Sequence, residues 1–454
     1  MLYRKALEKL QEWKSQPRKN ALCISGARQV GKTTLIREFA NQNYKCFAEL
    51  NFTLDPKACE IFSESLDADS IITNLTAYLH KPLIPHETLI LFDEVQECPN
   101  ARTAIKFLVE DGRFDYIESG SLLGIKSKDI RSYPVGFEES FRMYPMDFEE
   151  FCIANGVPKE TLEYLKKCFS SKTQIQQPVH DTMNKLFYTY IVVGGMPEAV
   201  RIYVETHDIA QVANYQKSIL ELYRLDIAKY ADSSDKSKIK TVFDSIPSQL
   251  DDKNRRYMLS QVVSNGRQLR YENSFLWLND AGVTLSCYNV AEPKAPLNLN
   301  EKRNLFKLFL CDTGLLCAAS MENIQFDILK GNVSVNLGSI LENVIAQQLQ
   351  SNGFNLYYFN SKKYGEIDFV IQNGMNTELI EVKSGNDYKS HVALNNVIDV
   401  AEWNIQKAYV FSKGNIETVE KITYFPWYLV MFLCTEKLPK NSKVEIDLSS
   451  LKLK

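Results

Sequence analysis

No apolar run in this 454-residue chain approaches the length of a membrane span, and the longest late one, Trp427 to Cys434, is short enough for a buried element. The first residues hold no signal-peptide core. The 10 cysteines are scattered without a CxxC pair, which leaves neither a zinc site nor a disulfide framework and makes a reducing cytoplasm the expected setting. Neither charge is in surplus. With 53 Lys+Arg against 56 Asp+Glu the net is −3, so an extended nucleic-acid coat is not suggested, although this balance leaves room for a local basic face. What remains is the composition expected of a soluble globular protein, 45% hydrophobic and 24% charged, long enough for two or three domains with cores of their own.

The chain is organised around Gly26-Ala27-Arg28-Gln29-Val30-Gly31-Lys32-Thr33, entered from the apolar run Ala21 to Ile24 and followed by Thr34 to Ala40. This reads as strand, phosphate loop, helix. In such a loop backbone N–H groups turn toward a phosphate chain, and the helix N-terminus adds donors and a favourable dipole. ATP is the expected ligand, with Lys32 at its β- and γ-phosphates, the Thr33 hydroxyl in the shell of Mg²⁺, and Thr34 closing the binding stretch. An ordinary Gly-rich turn is the alternative, and the flanking pattern speaks against it.

Leu89-Ile90-Leu91-Phe92-Asp93-Glu94 supplies the second half of such a site. Four apolar residues suit a central parallel strand, Asp93 is placed to hold Mg²⁺, and Glu94 to polarise the attacking water. A solvated strand end is the plainer reading of the same pair. Cys46 to Asn51 and Phe114 to Glu118 read as further strands, separated by helical stretches at the spacing of a parallel α/β sheet. The second of them ends in Ser119-Gly120-Ser121, where ligands bind such sheets, so Ser119 is a candidate sensor of the γ-phosphate or water. Arg102, Arg131 and Arg142 read more readily as structural or solvated than as an arginine finger, which a neighbouring subunit of a homo-oligomer would equally supply.

Four regions follow from the pattern: an ATP-binding domain over 1–150, a helical accessory region over 151–236, a middle region over 237–320 and a C-terminal domain over 321–454. The accessory region is punctuated by Gly194-Gly195-Met196-Pro197. The middle region has helix-like stretches and the short strand-like Val283 to Ser286, a succession like that of a winged helix-turn-helix. Its Lys253, Arg255, Arg256, Arg267 and Arg270 suit DNA phosphates, or the module is a protein-packing unit. Near the C-terminus, Asp368 opens an apolar strand, and alternation in Leu379-Ile380-Glu381-Val382-Lys383 puts Glu381 and Lys383 on one face. Asp368 and Glu381 are candidates to share a divalent cation, with Glu342 on an upstream helix joining them and Lys383 stabilising charge or positioning a water. A plain hairpin with exposed acids is the alternative.

With these stretches in view the chain resembles the bacterial and archaeal AAA-type P-loop ATPases that carry a C-terminal domain of unassigned function, the AAA_14 and DUF4143 pairing. The likeness extends over nearly the whole chain. It rests on Gly26 to Thr33, Leu91 to Gln96, Ser119 to Ser121, Tyr144 to Phe151, Val193 to Glu198, Trp277 to Gly282 and Asp312 to Leu316. It implies ATP and Mg²⁺ as cofactors, held by Lys32, Thr33, Asp93 and Glu94. From Leu337 onward the tail resembles the PD-(D/E)xK restriction-endonuclease-like fold, with Ile367 where a proline is usual. That implies a second Mg²⁺ or Mn²⁺ on Glu342, Asp368 and Glu381, with Lys383 catalytic.

The expected fold class is α/β, a P-loop NTPase parallel sheet with a helical accessory region, a winged-helix-like middle region and a restriction-endonuclease-like α/β C-terminal domain. Three functions compete. They are an ATPase coupled to an unidentified protein or DNA partner, an ATP-regulated metal-dependent DNA nuclease, and an ATP-binding interaction scaffold, the last being hard to reconcile with Glu94. A membrane is not an expected partner.

Overall fold

The computed structural model describes residues 2–121, 123, 134–251, 256–259, 271–320, 324–329, 337–436 and 446. Its first sheet is built from β1 (Ala21–Ser25), β2 (Cys46–Asn51), β3 (Thr88–Asp93), β4 (Asp115–Gly120) and β5 (Glu138–Arg142) in the order β2-β3-β4-β1-β5. Every pairing in it is parallel. Helices α1 (Ala6–Lys14), α2 (Lys32–Asn43), α3 (Ala68–Leu79) and α4 (Pro99–Asp111) belong to this part of the chain. Because a strand's side chains alternate between faces, Leu22, Ile24, Leu89, Leu91 and Ile117 enter one core while Cys23, Ile90, Phe92 and Tyr116 enter another. β3 is therefore buried along its whole length, as a central parallel strand must be. The register sets Asn51 and Ser119 on either side of Asp93.

A helical region follows: α5 (Phe148–Ala154), α6 (Lys159–Ser171), α7 (Gln177–Val193), α8 (Pro197–Thr206), α9 (Ile209–Tyr230), α10 (Lys236–Asp251) and α11 (Glu272–Asp280). Asp147 and Glu150 start α5 with a reciprocal capping box, which satisfies two backbone N–H groups that the first turn leaves open. The rest is β6 (Thr284–Val290), β7 (Glu301–Leu310), α12 (Thr313–Ser320), α13 (Ile324–Leu329), α14 (Leu337–Ser351), β8 (Tyr357–Ser361), β9 (Gly365–Asn373), β10 (Asn376–Val382), α15 (Val392–Ile398), β11 (Lys407–Ser412), β12 (Glu417–Val419) and β13 (Ile422–Pro426). No helix among the described residues is long and apolar enough to cross a membrane.

The second sheet has the order β12-β13-β11-β10-β9-β8-β6-β7, with strands from both sides of residues 320 and 321. The β6–β7 hairpin, whose first strand overlaps the strand-like Val283 to Ser286 of the expected middle region, pairs through Tyr288–Val290 with Tyr357–Phe359 of β8 and so is part of the second sheet. A strand edge with unpaired N–H and C=O groups is satisfied by adding to a neighbouring sheet, and here β8 provides that neighbour. Of the basic cluster, Arg256 is exposed, while Lys253, Arg255, Arg267 and Arg270 lie outside the described residues, as does Arg131.

One apolar core joins both sheets. It runs from Leu22 and Leu91 through Phe148, Phe187 and Tyr190 to Val344, Phe369, Ile380 and Phe411. A polar seam passes through it. The Tyr190 hydroxyl donates to the Met146 carbonyl at 2.7 Å and accepts from Gln347 Nε2 at 2.9 Å and Gln348 Nε2 at 3.0 Å, while Gln348 Oε1 takes the Phe148 N–H at 3.2 Å. Tyr190→Phe keeps the shape but strands these fully buried partners, so it is expected to lower stability by about 2–4 kcal/mol. Urea unfolding reads this directly, and an unchanged midpoint would mean that the seam carries no stability.

Candidate nucleotide site and C-terminal acid cluster

β1 delivers the chain into the phosphate loop, and Gly31, at φ +89°, turns it into α2 through a left-handed conformation that a side chain disfavours. Lys32 follows at the first helical position, where it is 7% exposed. Its ammonium donates to the carbonyls of Gly26 at 2.9 Å and Ala27 at 3.0 Å, folding back over the loop. Burial pulls its pKa down to about 8, against the opposing pull of Glu94 and Asp93. The loop is fixed from outside by Arg4, which donates to the Val30 carbonyl at 2.8 Å and the Tyr144 carbonyl at 2.7 Å and pairs with Glu150 at 3.2 Å.

Asp93 ends β3 as a buried carboxylate with three side-chain donors around it and the Glu94 N–H at 3.2 Å from its Oδ1. Thr33 Oγ1 lies 3.1 Å and Asn51 Nδ2 2.9 Å from its Oδ2, and the Ser119 hydroxyl donates to its Oδ1. Thr33 and Asp93 thus present hard oxygens side by side, a donor set that suits Mg²⁺. Glu94 stands next to them in a left-handed backbone conformation, φ +52°, which is uncommon for a residue with a side chain and costs free energy. Its carboxylate accepts from Gln96 Nε2 at 2.5 Å.

The residues named from the sequence, Gly26 to Thr33, Asp93, Glu94 and Ser119, therefore meet at the carboxyl edge of one sheet, and Thr34 follows, exposed, on α2. The arginines do other work. Arg102 is buried against Glu138 at 3.1 Å and Cys23 Sγ at 3.8 Å, and Arg142 donates to the Asn279 carbonyl at 2.5 Å. Beside Arg102, burial pushes the Glu118 carboxyl well above its ordinary range and the Cys23 thiol up as well.

Several contacts at this site escaped the sequence. Asn51 is visible only once β2 is known to pair with β3. More distant are Tyr223 and Asp226 of α9: the Asp226 carboxylate accepts from Arg28 Nη1 at 2.6 Å, and the Tyr223 hydroxyl donates to the Arg28 carbonyl at 3.1 Å. Burial raises the Asp226 pKa, and Arg28 opposes that rise. The turn after α11 also lies on the loop, so close that a Cβ on Gly282 would stand 2.7 Å from the Ala27 nitrogen. Between these elements a crevice is lined by Arg28, Ser121, Tyr223, Asp226, Trp277 and Ala281. No local pattern marks a pair 198 residues apart.

In the C-terminal part, Lys383 and Glu381 meet at 2.8 Å, as alternation along the strand predicts. Asp368 Oδ2 accepts the Val382 N–H at 2.8 Å. Burial first and Asp368 second push the Glu381 carboxyl up to about 7, with Lys383 and Lys307 opposing. Glu342 does not complete a three-carboxylate set with them: among the described residues, the one group of three ligand-type side chains whose atoms lie within 4.8 Å of one another is Cys23, Glu118 and Glu138. Glu342 instead pairs with Lys307 of β7 at 3.2 Å, and Lys307 also pairs with Glu366 at 2.7 Å.

Against known families, residues 18–152 match an AAA domain, residues 184–325 a domain of unknown function, DUF8612, and residues 337–429 another, DUF4143. None of the curated proteins matches the chain. Among solved structures it is similar to the Walker-type ATPase PABY2304 of Pyrococcus abyssi, at 14% identity over 70% of this chain and 96% of that one, TM-score 0.40. It is also similar to the ORC1 protein of Aeropyrum pernix in complex with DNA, at 12% identity over 70% and 92%, TM-score 0.29, and to Cdc6p from Pyrobaculum aerophilum, at 12% over 72% and 94%, TM-score 0.24.

The depressed pKa of Lys32 sets a pH dependence with a definite sign. The free site loses this proton near pH 8, whereas an ammonium among phosphates holds it more tightly, so above that pH nucleotide binding must take up a proton. The Kd for ATP is expected to be flat just below pH 8 and to weaken by up to about tenfold per pH unit above it. Calorimetry in buffers of different ionisation enthalpy checks both the affinity and the proton uptake; a Kd independent of pH up to about 9.5 would show that Lys32 keeps its proton in the free site.

Proposed function

We propose that this chain, an AAA-type P-loop ATPase with a DUF4143 C-terminal domain, passes the state of its nucleotide site to a partner through the helical region that lies on its phosphate loop. The observation that carries this reading is the pair of contacts made on the loop from far along the chain, Asp226 on Arg28 and Gly282 on Ala27. Phosphate oxygens entering the loop compete with the Asp226 carboxylate for the Arg28 guanidinium and repel that carboxylate. The same charge that fills the site thus loosens α9 from it, and the crevice beside Trp277 and Ala281 is where the movement is taken up.

In the chemical step, Lys32 leaves the Gly26 and Ala27 carbonyls for the phosphates, and Thr33 and Asp93 would hold Mg²⁺. Bound there, Mg²⁺ would supply neutralisation of negative charge on the phosphates. Asn51 and Ser119 keep the Asp93 carboxylate oriented, and Glu94 polarises the attacking water, its position fixed by Gln96. The partner is a protein or DNA, and a second copy of the chain is a natural source of an arginine finger, since Arg102 and Arg142 are engaged elsewhere in this subunit.

Glu94→Gln is expected to bind ATP about as well as the wild type while single-turnover hydrolysis falls by about 10²- to 10⁴-fold. Phosphate release at an unchanged rate would assign water activation elsewhere. Asp226→Asn removes the competitor for Arg28, so ATP affinity is expected to rise about threefold to tenfold, within the ordinary range of coupling between sites. Calorimetry that found equal or weaker binding in a folded Asp226→Asn protein would contradict the proposed route.

A further inference from the structure

We propose that the indole N–H of Trp277 is a donor held ready for the γ-phosphoryl group, so that α11 tells ATP from ADP; this rests on the ATPase reading above. A buried donor without an acceptor is rare, because it forfeits the hydrogen bond that water would have given it. Trp277 Nε1 is such a donor: it is shut off from solvent, and no group of the chain accepts from it. The contrast within the molecule is direct. Trp13 Nε1 donates to the Asn20 carbonyl at 2.9 Å, and Trp427 Nε1 to the Lys383 carbonyl at 3.1 Å.

Its place in the fold points to the acceptor. Residues four apart share a helix face, so Trp277 and Ala281 line the same crevice, together with Arg28, Ser121 and Asp226. Arg28 belongs to the phosphate loop. Ser121 Oγ lies 3.5 Å from Glu94 Oε2, the carboxylate assigned to the attacking water, which sets the crevice at the γ end of a bound triphosphate. The crevice holds about 10 Å³, room for a single oxygen, whether of a water or of a phosphate. A phosphoryl oxygen carries charge, so an N–H···O bond to it is stronger than one to water, and enclosure strengthens it further.

The donor is also fixed in position. The Trp277 carbonyl accepts the Ala281 N–H at 2.9 Å and the Leu278 carbonyl the Val283 N–H at 3.0 Å, closing α11 through Gly282, whose φ of +76° brings the turn against Ala27. Arg142 donates to the Asn279 carbonyl at 2.5 Å and ties the same helix end to β5, where a cation also suits the helix dipole. ATP thus acts on the two covering elements with opposite sign: it competes with Asp226 of α9 for Arg28, and it gives Trp277 of α11 the acceptor it lacks. ADP meets the loop but ends short of the crevice.

Calorimetry with β,γ-imido-ATP and with ADP, each with Mg²⁺, on wild type and Trp277→Phe tests this, since Phe keeps an aromatic ring and removes only the polar N–H. Affinity for the imido analogue is expected to fall about tenfold in the variant and that for ADP to stay as it was. Equal losses for both nucleotides, or none for either, would overturn the proposal. A second readout needs no variant: in NMR of the full chain labelled with heavy nitrogen at its four Trp indoles, one N–H signal is expected to move downfield with the imido analogue and not with ADP. Indole signals that fail to tell the two nucleotides apart would equally defeat it. Wild type that bound neither nucleotide would defeat the ATPase reading and this one with it, whereas a failure of the α9 route, read from Asp226→Asn, leaves the contrast between ATP and ADP intact.

Discussion

A charge taken out of water has to be met by opposite charge or by hydrogen bonds, and in this protein that constraint ties together segments that are remote in the chain. Asp93 is met by Thr33, Asn51 and Ser119 from three different elements, and Arg4 by Glu150 and two carbonyls. Asp312, fully buried, has its pKa pushed up to about 6 by desolvation, opposed by backbone N–H groups that include Gly195 at 2.6 Å and Leu315 at 3.0 Å. Each of these contacts fixes the relative position of two parts of the fold. The apolar core would tolerate sliding between helices; the buried polar groups do not, because every displacement leaves a donor or acceptor unanswered.

The consequence for function is that the nucleotide site is not an isolated loop on a sheet. Its floor is local, made by β1, α2 and β3, but its cover is brought in by α9 and by the turn after α11. On the proposed route a change of charge on the floor passes to α9 and to the turn that leads into β6. The seam through Tyr190 and α14 provides a second connection between the same two parts.

What the sequence disclosed, and what it hid, follows from the range of the interactions. Gly26 to Thr33 and Leu89 to Glu94 were legible because a phosphate loop and a buried strand ending in acids are local patterns. The Glu381–Lys383 pair was legible for the same reason, since alternation along one strand decides it. Arg28 and Asp226 were not, because residues 198 apart become neighbours only through packing. Glu342 shows the limit most clearly: a helix was legible around it, but its ion pair with Lys307 of β7 is one that no spacing rule picks out. The sheet to which the strand-like Val283 to Ser286 belongs was hidden for a related reason, as a short strand looks the same whether it ends its own module or joins a neighbour's sheet.

The central claim is that nucleotide binding is transmitted from the phosphate loop to α9 and the turn after α11. Amide hydrogen exchange of Glu94→Gln, with and without ATP and Mg²⁺, tests it most directly. The account predicts altered protection not only in Gly26 to Thr33 but also around Tyr223 to Ile227 and Ala281 to Val283. Changes confined to the phosphate loop and the ends of β3 and β4 would contradict it.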